Sequence, residues 1–168
     1  LYLGISLKLR NPDHQVEVDE RNKPDDTVGW GIVLSDQTVD NITENDPVSA
    51  ERIVNEFIHW DLIDCHVSGE VERSGGQGFI GLGRKRFLQL LHERARELGV
   101  DLHFEQEIEL NDVNTRFADA DVIVASDGLN SRVRNTYLDE FGCTIETRPN
   151  KFVWLGTNQT FRDAFTFI

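Results

Sequence analysis

Apolar β-branched residues run unbroken through Val122-Ile-Val124, between Asp121 and the pair Asp127-Gly128, which is the pattern of a strand buried on both faces. Leu129-Asn-Ser131-Arg-Val-Arg134 follows with helix-start residues, so the pattern predicts a strand delivering a loop into a helix N-terminus. At such a junction Asp127 stands at the carboxyl end of the strand and Gly128 lets the backbone turn or approach a ligand. The N–H groups of the next turn then favour an anion. A plain β-turn with a good N-cap explains the same residues equally well.

The rest of the chain supplies partners for such a junction. Leu1, Leu3, Ile5, Leu7 and Leu9 suit a strand or, through Leu3 and Leu7, a helix face; Asn11-Pro12-Asp13 ends either one. Gln15-Val-Glu-Val-Asp-Glu20 alternates as a short strand with an acid at its tip, where a dinucleotide-binding fold holds ribose hydroxyls; exposed acids being common in this chain, a solvated surface glutamate is the favoured reading of the residue by itself. Gly29-Trp-Gly-Ile-Val-Leu34 reads as a further strand. Ser35-Asp36 caps a helix over 37–45, and Asp46-Pro47 opens another to about Phe57. Gly76-Gln-Gly78-Phe-Ile-Gly81 matches the G-x-G-x-x-G expression, but it neither leaves a strand directly nor opens a helix, so it is read as a glycine-rich loop and not as the dinucleotide fingerprint.

Arg84 to Leu98 carries Phe87, Leu91, Ala95 and Leu98 on one face and is stopped by Gly99. Arg84, Lys85 and Arg86 crowd its first turn against the helix dipole, which suggests an anionic partner or else a solvated basic turn. Val100 to Phe104 completes a strand, helix, strand alternation of the βαβ kind. Residues 111–120 read as a polar loop with a short helical turn, and a helix runs from Arg134 to about Glu140. Phe152-Val-Trp-Leu-Gly156 and Ala164-Phe-Thr-Phe-Ile168 read as two strands of a hairpin or meander beginning a β-rich layer.

Composition narrows the partners. With 17 basic against 30 acidic residues in 168, the formal net charge of −13 argues against a general nucleic-acid surface. Cys65 and Cys143 form no C-x-x-C pair, so reduced thiols in the cytoplasm are expected. The scattered histidines His59 and His66 lack ligand spacing, and no metal is assigned. No run approaches the length of a membrane span. The chain has no methionine and its apolar patterns run into both ends, so it reads as part of a longer one, truncated at both ends.

Val18-Asp-Glu20-Arg21, Gly81-Leu-Gly83-Arg84-Lys-Arg-Phe-Leu88 and Ala125-Ser-Asp127-Gly128-Leu-Asn-Ser131-Arg-Val-Arg134, in this order and spacing, resemble the single-component FAD-dependent aromatic hydroxylases. Gly29 to Thr38, Asn45-Asp-Pro47, Asn150 to Thr157 and Ala164 to Ile168 extend the likeness to the members that act on aryl-CoA thioesters such as salicylyl-CoA or anthraniloyl-CoA. The resemblance implies an α/β chain: a Rossmann-like FAD-binding domain with βαβ units over 1–148, lacking its first strand and Gly-rich loop, and the start of a β-rich substrate domain over 149–168. It also settles Leu1 to Leu9 as a helix.

The resemblance implies roles as well. Glu20 accepts hydrogen bonds from the adenosine ribose, and Arg21 lies near the adenine or phosphates. Arg84 reaches the ribityl or pyrophosphate region, and the Ile108 backbone meets the adenine edge. Asp127 and Gly128 contact the ribityl and pyrophosphate part of FAD, with Ser131 and Arg134 holding their loop. NADH or NADPH reduces the flavin, O2 is the co-substrate, and a homo-oligomer is compatible with the family. No catalytic acid or base is assigned. Another FAD-dependent oxidoreductase on the same fold, or a nucleotide-binding module without turnover, remains as an alternative.

Overall fold

The structure is a computed structural model that describes residues 1–168 except Trp154 and Arg162, with only the backbone of Gln77. The chain divides into two compact units, one of Leu1–Gln106 with Gly156–Ile168, the other of Glu107–Leu155.

In the first unit the elements run α1 Tyr2–Arg10, β1 Glu17–Glu20, β2 Gly31–Ser35, α2 Asp36–Asn45, α3 Pro47–Glu56, β3 Ile58–Val67, β4 Glu70–Gly83, α4 Arg84–Glu97 and β5 Asp101–Phe104. β1 and β5 pair in parallel, Glu17 opposite Asp101 and Glu20 opposite Phe104. The second sheet has the order β2-β4-β3 with a last strand, Phe165–Phe167, on its β3 edge. Helix formation follows the sequence signals. Ser35 caps α2 by accepting from the Thr38 N–H at 3.4 Å, and Pro47 stands in the first turn of α3, where its missing N–H costs nothing.

The apolar face of α4 builds the core. Leu90, Leu91 and Ala95 are buried with Ile5 of α1, Ile53 of α3, Ile80 of β4 and Val100. Gly4 lets α1 approach closely, since a Cβ there would stand 3.2 Å from Val16 Cγ1. Full burial of a Leu or Ile side chain contributes roughly 1.5–3 kcal/mol, so this cluster is the main stabilising term that places α4. A buried ion pair fixes the helix further: Arg94 Nε and Nη2 donate to Asp46 Oδ2 and Oδ1 at 2.9 Å each, and Ser49 Oγ donates to Asp46 Oδ2 at 2.6 Å.

In the second unit lie α5 Leu110–Asn114, α6 Arg132–Thr136 and α7 Leu138–Phe141. The single helix expected beyond Arg134 is broken at Tyr137, whose backbone (φ −109, ψ 34) leaves the helical region. Among the described residues no helix is long and apolar enough to cross a membrane.

Three further expectations are corrected. Residues 121–127 belong to no helix and to none of the described sheets, and Val122, Ile123 and Val124 are exposed. An apolar run becomes a strand only beside a neighbour that satisfies its N–H and C=O groups, and none of the described strands pairs with it. Gly76 to Gly81 is not a loop but lies inside β4. Its glycine at 81 answers to packing, because a Cβ there would come within 2.7 Å of the Trp60 ring. Finally, Phe165–Phe167 forms β6, which runs parallel to β3 with Ile63 opposite Phe165 and Cys65 opposite Phe167, so no hairpin joins it to 152–156. Trp154 of that stretch lies outside the described residues. The Phe165 ring packs against Trp60 of β3 at 5.7 Å and stacks on Phe79 of β4 at 5.1 Å, aromatic contacts that favour this edge.

Candidate cofactor site

Glu20 closes β1 at its carboxyl end, beside the end of β5. Its carbonyl accepts from the Gln106 N–H at 3.0 Å, and the Asn22 carbonyl accepts from the Glu105 N–H at 3.2 Å, so the two parallel strands leave the sheet together. The Glu20 carboxylate is exposed and oriented locally: Oε1 accepts from Asn22 N at 2.8 Å and Asn22 Nδ2 at 2.7 Å. Arg21 is exposed beside it.

The connection after Glu20 runs to the N-terminus of α4. Asp25 accepts from Gln89 Nε2 at 3.3 Å and pairs with Lys85 Nζ at 3.2 Å, while the Arg84 N–H donates to the Trp30 carbonyl at 3.0 Å. Hydrogen bonding from Gln89, then Lys85, holds the Asp25 carboxyl below its ordinary range. The crowded cations of this turn therefore have different partners. Lys85 is matched by Asp25, and Arg86 grips Glu56 through Nε at 2.6 Å and Nη2 at 2.5 Å. Among the described residues Arg84 has no carboxylate partner. Beneath these segments the buried His92 packs edge-on to Phe104 at 5.0 Å; burial, then Arg96, pushes its pKa down and keeps it neutral.

In the second unit Asp127 begins a tight turn. Its Oδ2 accepts from the Arg132 N–H at 2.9 Å, Ser131 N donates to the Gly128 carbonyl at 3.1 Å, and Ser131 Oγ, buried, accepts from Arg134 N at 3.1 Å. Arg134 Nη2 donates to the Leu129 carbonyl at 2.8 Å, so Ser131 and Arg134 hold the turn. Gly128 has φ +81, a conformation that L side chains rarely adopt, and among the described residues, its chain neighbours aside, no heavy atom lies within 4 Å of where its Cβ would be. The Ser131 hydroxyl, with the Arg132 amide, holds the Asp127 carboxyl below its ordinary range and keeps it ionised. Ile108 is half-buried between the exposed Glu107 and Glu109. Glu20, Arg21 and Arg84 thus fall in the first unit, and Ile108, Asp127 and Gly128 in the second.

No family model matches the chain. Over all 168 residues it is 44% identical to salicyloyl-CoA 5-hydroxylase of a Streptomyces species. The chain is a homologue of part of that hydroxylase. It spans 32% of the length of salicyloyl-CoA 5-hydroxylase, and 40% of a second relative, the 3-hydroxy-4-methyl-anthranilyl-[aryl-carrier protein] 5-monooxygenase of Streptosporangium sibiricum, to which it is 26% identical over 86% of this chain. Solved structures show the same α/β fold. A variant of P. aeruginosa PqsL superposes with a TM-score of 0.64 over 88% of this chain and 44% of that one, at 17% identity. CtdE in complex with FAD and a substrate superposes with 0.51 over 62% of this chain and 27% of that one, at 16% identity.

Two groups escaped the sequence reading. Glu17 and Asp19 on β1 and Asp101 and His103 on β5 meet on one face: His103 Nδ1 lies 3.2 Å from Glu17 Oε1 and 3.5 Å from Asp19 Oδ1, and Nε2 lies 3.2 Å from Asp101 Oδ1. Burial opposes charge on His103, but Asp101, Glu17 and Asp19 outweigh it and raise the pKa. The signal was the period-two spacing of charges in both strands. The other is Arg132, whose guanidinium bonds both Glu107 and Glu109; only the register of two loops could have revealed it.

Proposed function

We propose that the natural protein is an FAD-dependent monooxygenase that consumes NADH or NADPH and O2 to hydroxylate the ring of an aryl-CoA thioester such as salicylyl-CoA or anthraniloyl-CoA. The observation that carries this reading is the 44% identity to salicyloyl-CoA 5-hydroxylase across the whole chain. The residues fit a flavin dinucleotide. An acid ends a parallel strand at Glu20, a cation with no carboxylate partner among the described residues starts α4 at Arg84, and a glycine with open space over its backbone follows the ionised Asp127.

In this reading Glu20 accepts the ribose hydroxyls of the adenosine, and Arg21 lies near the adenine or phosphates. Arg84 balances the pyrophosphate or ribityl region, and the Ile108 backbone meets the adenine edge. Asp127 accepts from the ribityl chain, and Gly128 admits the pyrophosphate. Bound FAD supplies the electron transfer and oxygen activation; the chain supplies binding, orientation and exclusion of water. Residues 1–148 form the FAD-binding domain, and 149–168 begin the substrate domain. The two free thiols, Cys65 and Cys143, and a CoA thioester substrate suit a cytoplasmic enzyme. A homo-oligomer is compatible with this reading, and one neighbour was solved in a tetrameric form.

The test is turnover of the full-length protein with salicylyl-CoA and anthraniloyl-CoA. One hydroxylated product per NAD(P)H consumed is expected; uncoupled oxidation with every aryl-CoA would leave a different FAD-dependent oxidoreductase. A colourless preparation that gains no flavin absorbance on adding FAD would leave a binding module without turnover.

A further inference from the structure

The acidic run from Glu105 to Glu109 surrounds Ile108, and two of its carboxylates share one partner. Arg132 Nη1 donates to Glu109 Oε2 at 2.9 Å and Nη2 donates to Glu107 Oε1, while the backbone N–H of the same residue donates to Asp127 Oδ2 at 2.9 Å. Resting on the reading of Ile108 and Asp127-Gly128 as cofactor segments, we propose that Arg132 is a positioning residue, a clamp that fixes these two segments of the FAD site relative to each other.

The geometry of an extended segment makes the clamp specific. Glu109 is extended (φ −90, ψ 155), and the carboxylates of Glu107 and Glu109 meet one guanidinium while Ile108 between them is half-buried, as side chains alternating along a chain would be. Holding both neighbours of Ile108 fixes the rotation of the segment about its own axis, and with it the direction of the Ile108 backbone groups. One guanidinium fork suits this task, because its two nitrogens reach two carboxylates at once, where an ammonium is a single point charge. The clamp also joins two helix starts. Glu109 caps α5 in a box with Asp112, and Arg132 is the first residue of α6.

The three side chains are half-exposed or more, at 50%, 54% and 65%. Ion pairs in such positions contribute little to stability. Their effect falls instead on a ligand that touches both segments, which meets an arrangement already set and loses less freedom on binding.

The test uses the full-length protein, with FAD affinity read by flavin fluorescence, the bound flavin by its visible absorption, and the apoprotein by thermal melting. Arg132→Met keeps the side-chain stem and the amide bond to Asp127 but removes the fork. It is expected to raise the FAD Kd about 5–20-fold, to shift the bound flavin spectrum and to leave the apoprotein melting within a few degrees of the parent. The double variant Glu107→Gln with Glu109→Gln should give the same loss, the triple variant no further loss, and Arg132→Lys a partial recovery. An unchanged Kd and spectrum in Arg132→Met would overturn the inference, as would additive losses that follow a falling melting temperature. If the unaltered protein takes up no FAD, the functional reading fails and takes this inference with it.

Discussion

Three cations begin α4, and what surrounds each one decides its work. Lys85 and Arg86 are matched by Asp25 and Glu56, whereas Arg84 faces solvent with no carboxylate partner among the described residues. Arg84→Ala should therefore weaken FAD binding in a fluorescence titration of the full-length protein and leave the melting temperature unchanged. Arg86→Ala should do the reverse, lowering the melting temperature with little change in flavin affinity. Glu20→Ala removes the proposed ribose acceptor and should cost about 1–3 kcal/mol of FAD binding, seen as a raised Kd in the same titration. At Gly81 the constraint is steric. Alanine would place a methyl 2.7 Å from the Trp60 ring, so Gly81→Ala should destabilise by about 1–3 kcal/mol in chemical denaturation.

At the scale of elements, two charge clusters hold the first unit in opposite ways. The β1–β5 pair carries His103 among Glu17, Asp19 and Asp101. Because the folded pKa of His103 is raised above 6.5, its stabilisation is full below that value and is lost as pH rises through the folded pKa. Denaturation midpoints followed from about pH 6 to about pH 9 should decline more steeply in the parent than in His103→Gln. Asp46 is buried and holds Arg94 with two hydrogen bonds, and without it Arg94 keeps, among the described residues, only Glu97 at 3.4 Å. Asp46→Asn should cost about 1–3 kcal/mol, measured by chemical denaturation. Elements with local signals were legible in the sequence: α2 from Ser35, α3 from Pro47, α4 from its apolar face and Gly99. The places of Glu20, at the tip of an alternating strand, and of Asp127, ahead of a turn into a helix, were legible too. Pairing was not, because nothing local in Gly76 to Gly81 announces the Trp60 ring it accommodates, and nothing local in Phe165–Phe167 chooses β3 as neighbour. Arg132 was hidden for the same reason, since its carboxylates lie 23 and 25 residues away.

At the scale of the molecule, the candidate cofactor residues are divided between two compact units, and the chain spans about a third of the hydroxylase to which it is homologous. The 168-residue chain alone should bind FAD at least about tenfold more weakly than the full-length protein, checked by titrating both with FAD under one buffer condition. The apolar run Val122-Ile-Val124 adds a practical consequence. Its side chains are 77%, 44% and 60% exposed, β-branched and uncharged, and its backbone is in none of the described sheets. Such a run is a template on which a second chain can add as a strand. Produced alone, the 168-residue chain should self-associate with rising concentration, and Ile123→Lys should suppress that association without changing helix content: the stretch that reads most strongly as interior would then govern how long the isolated chain stays in solution.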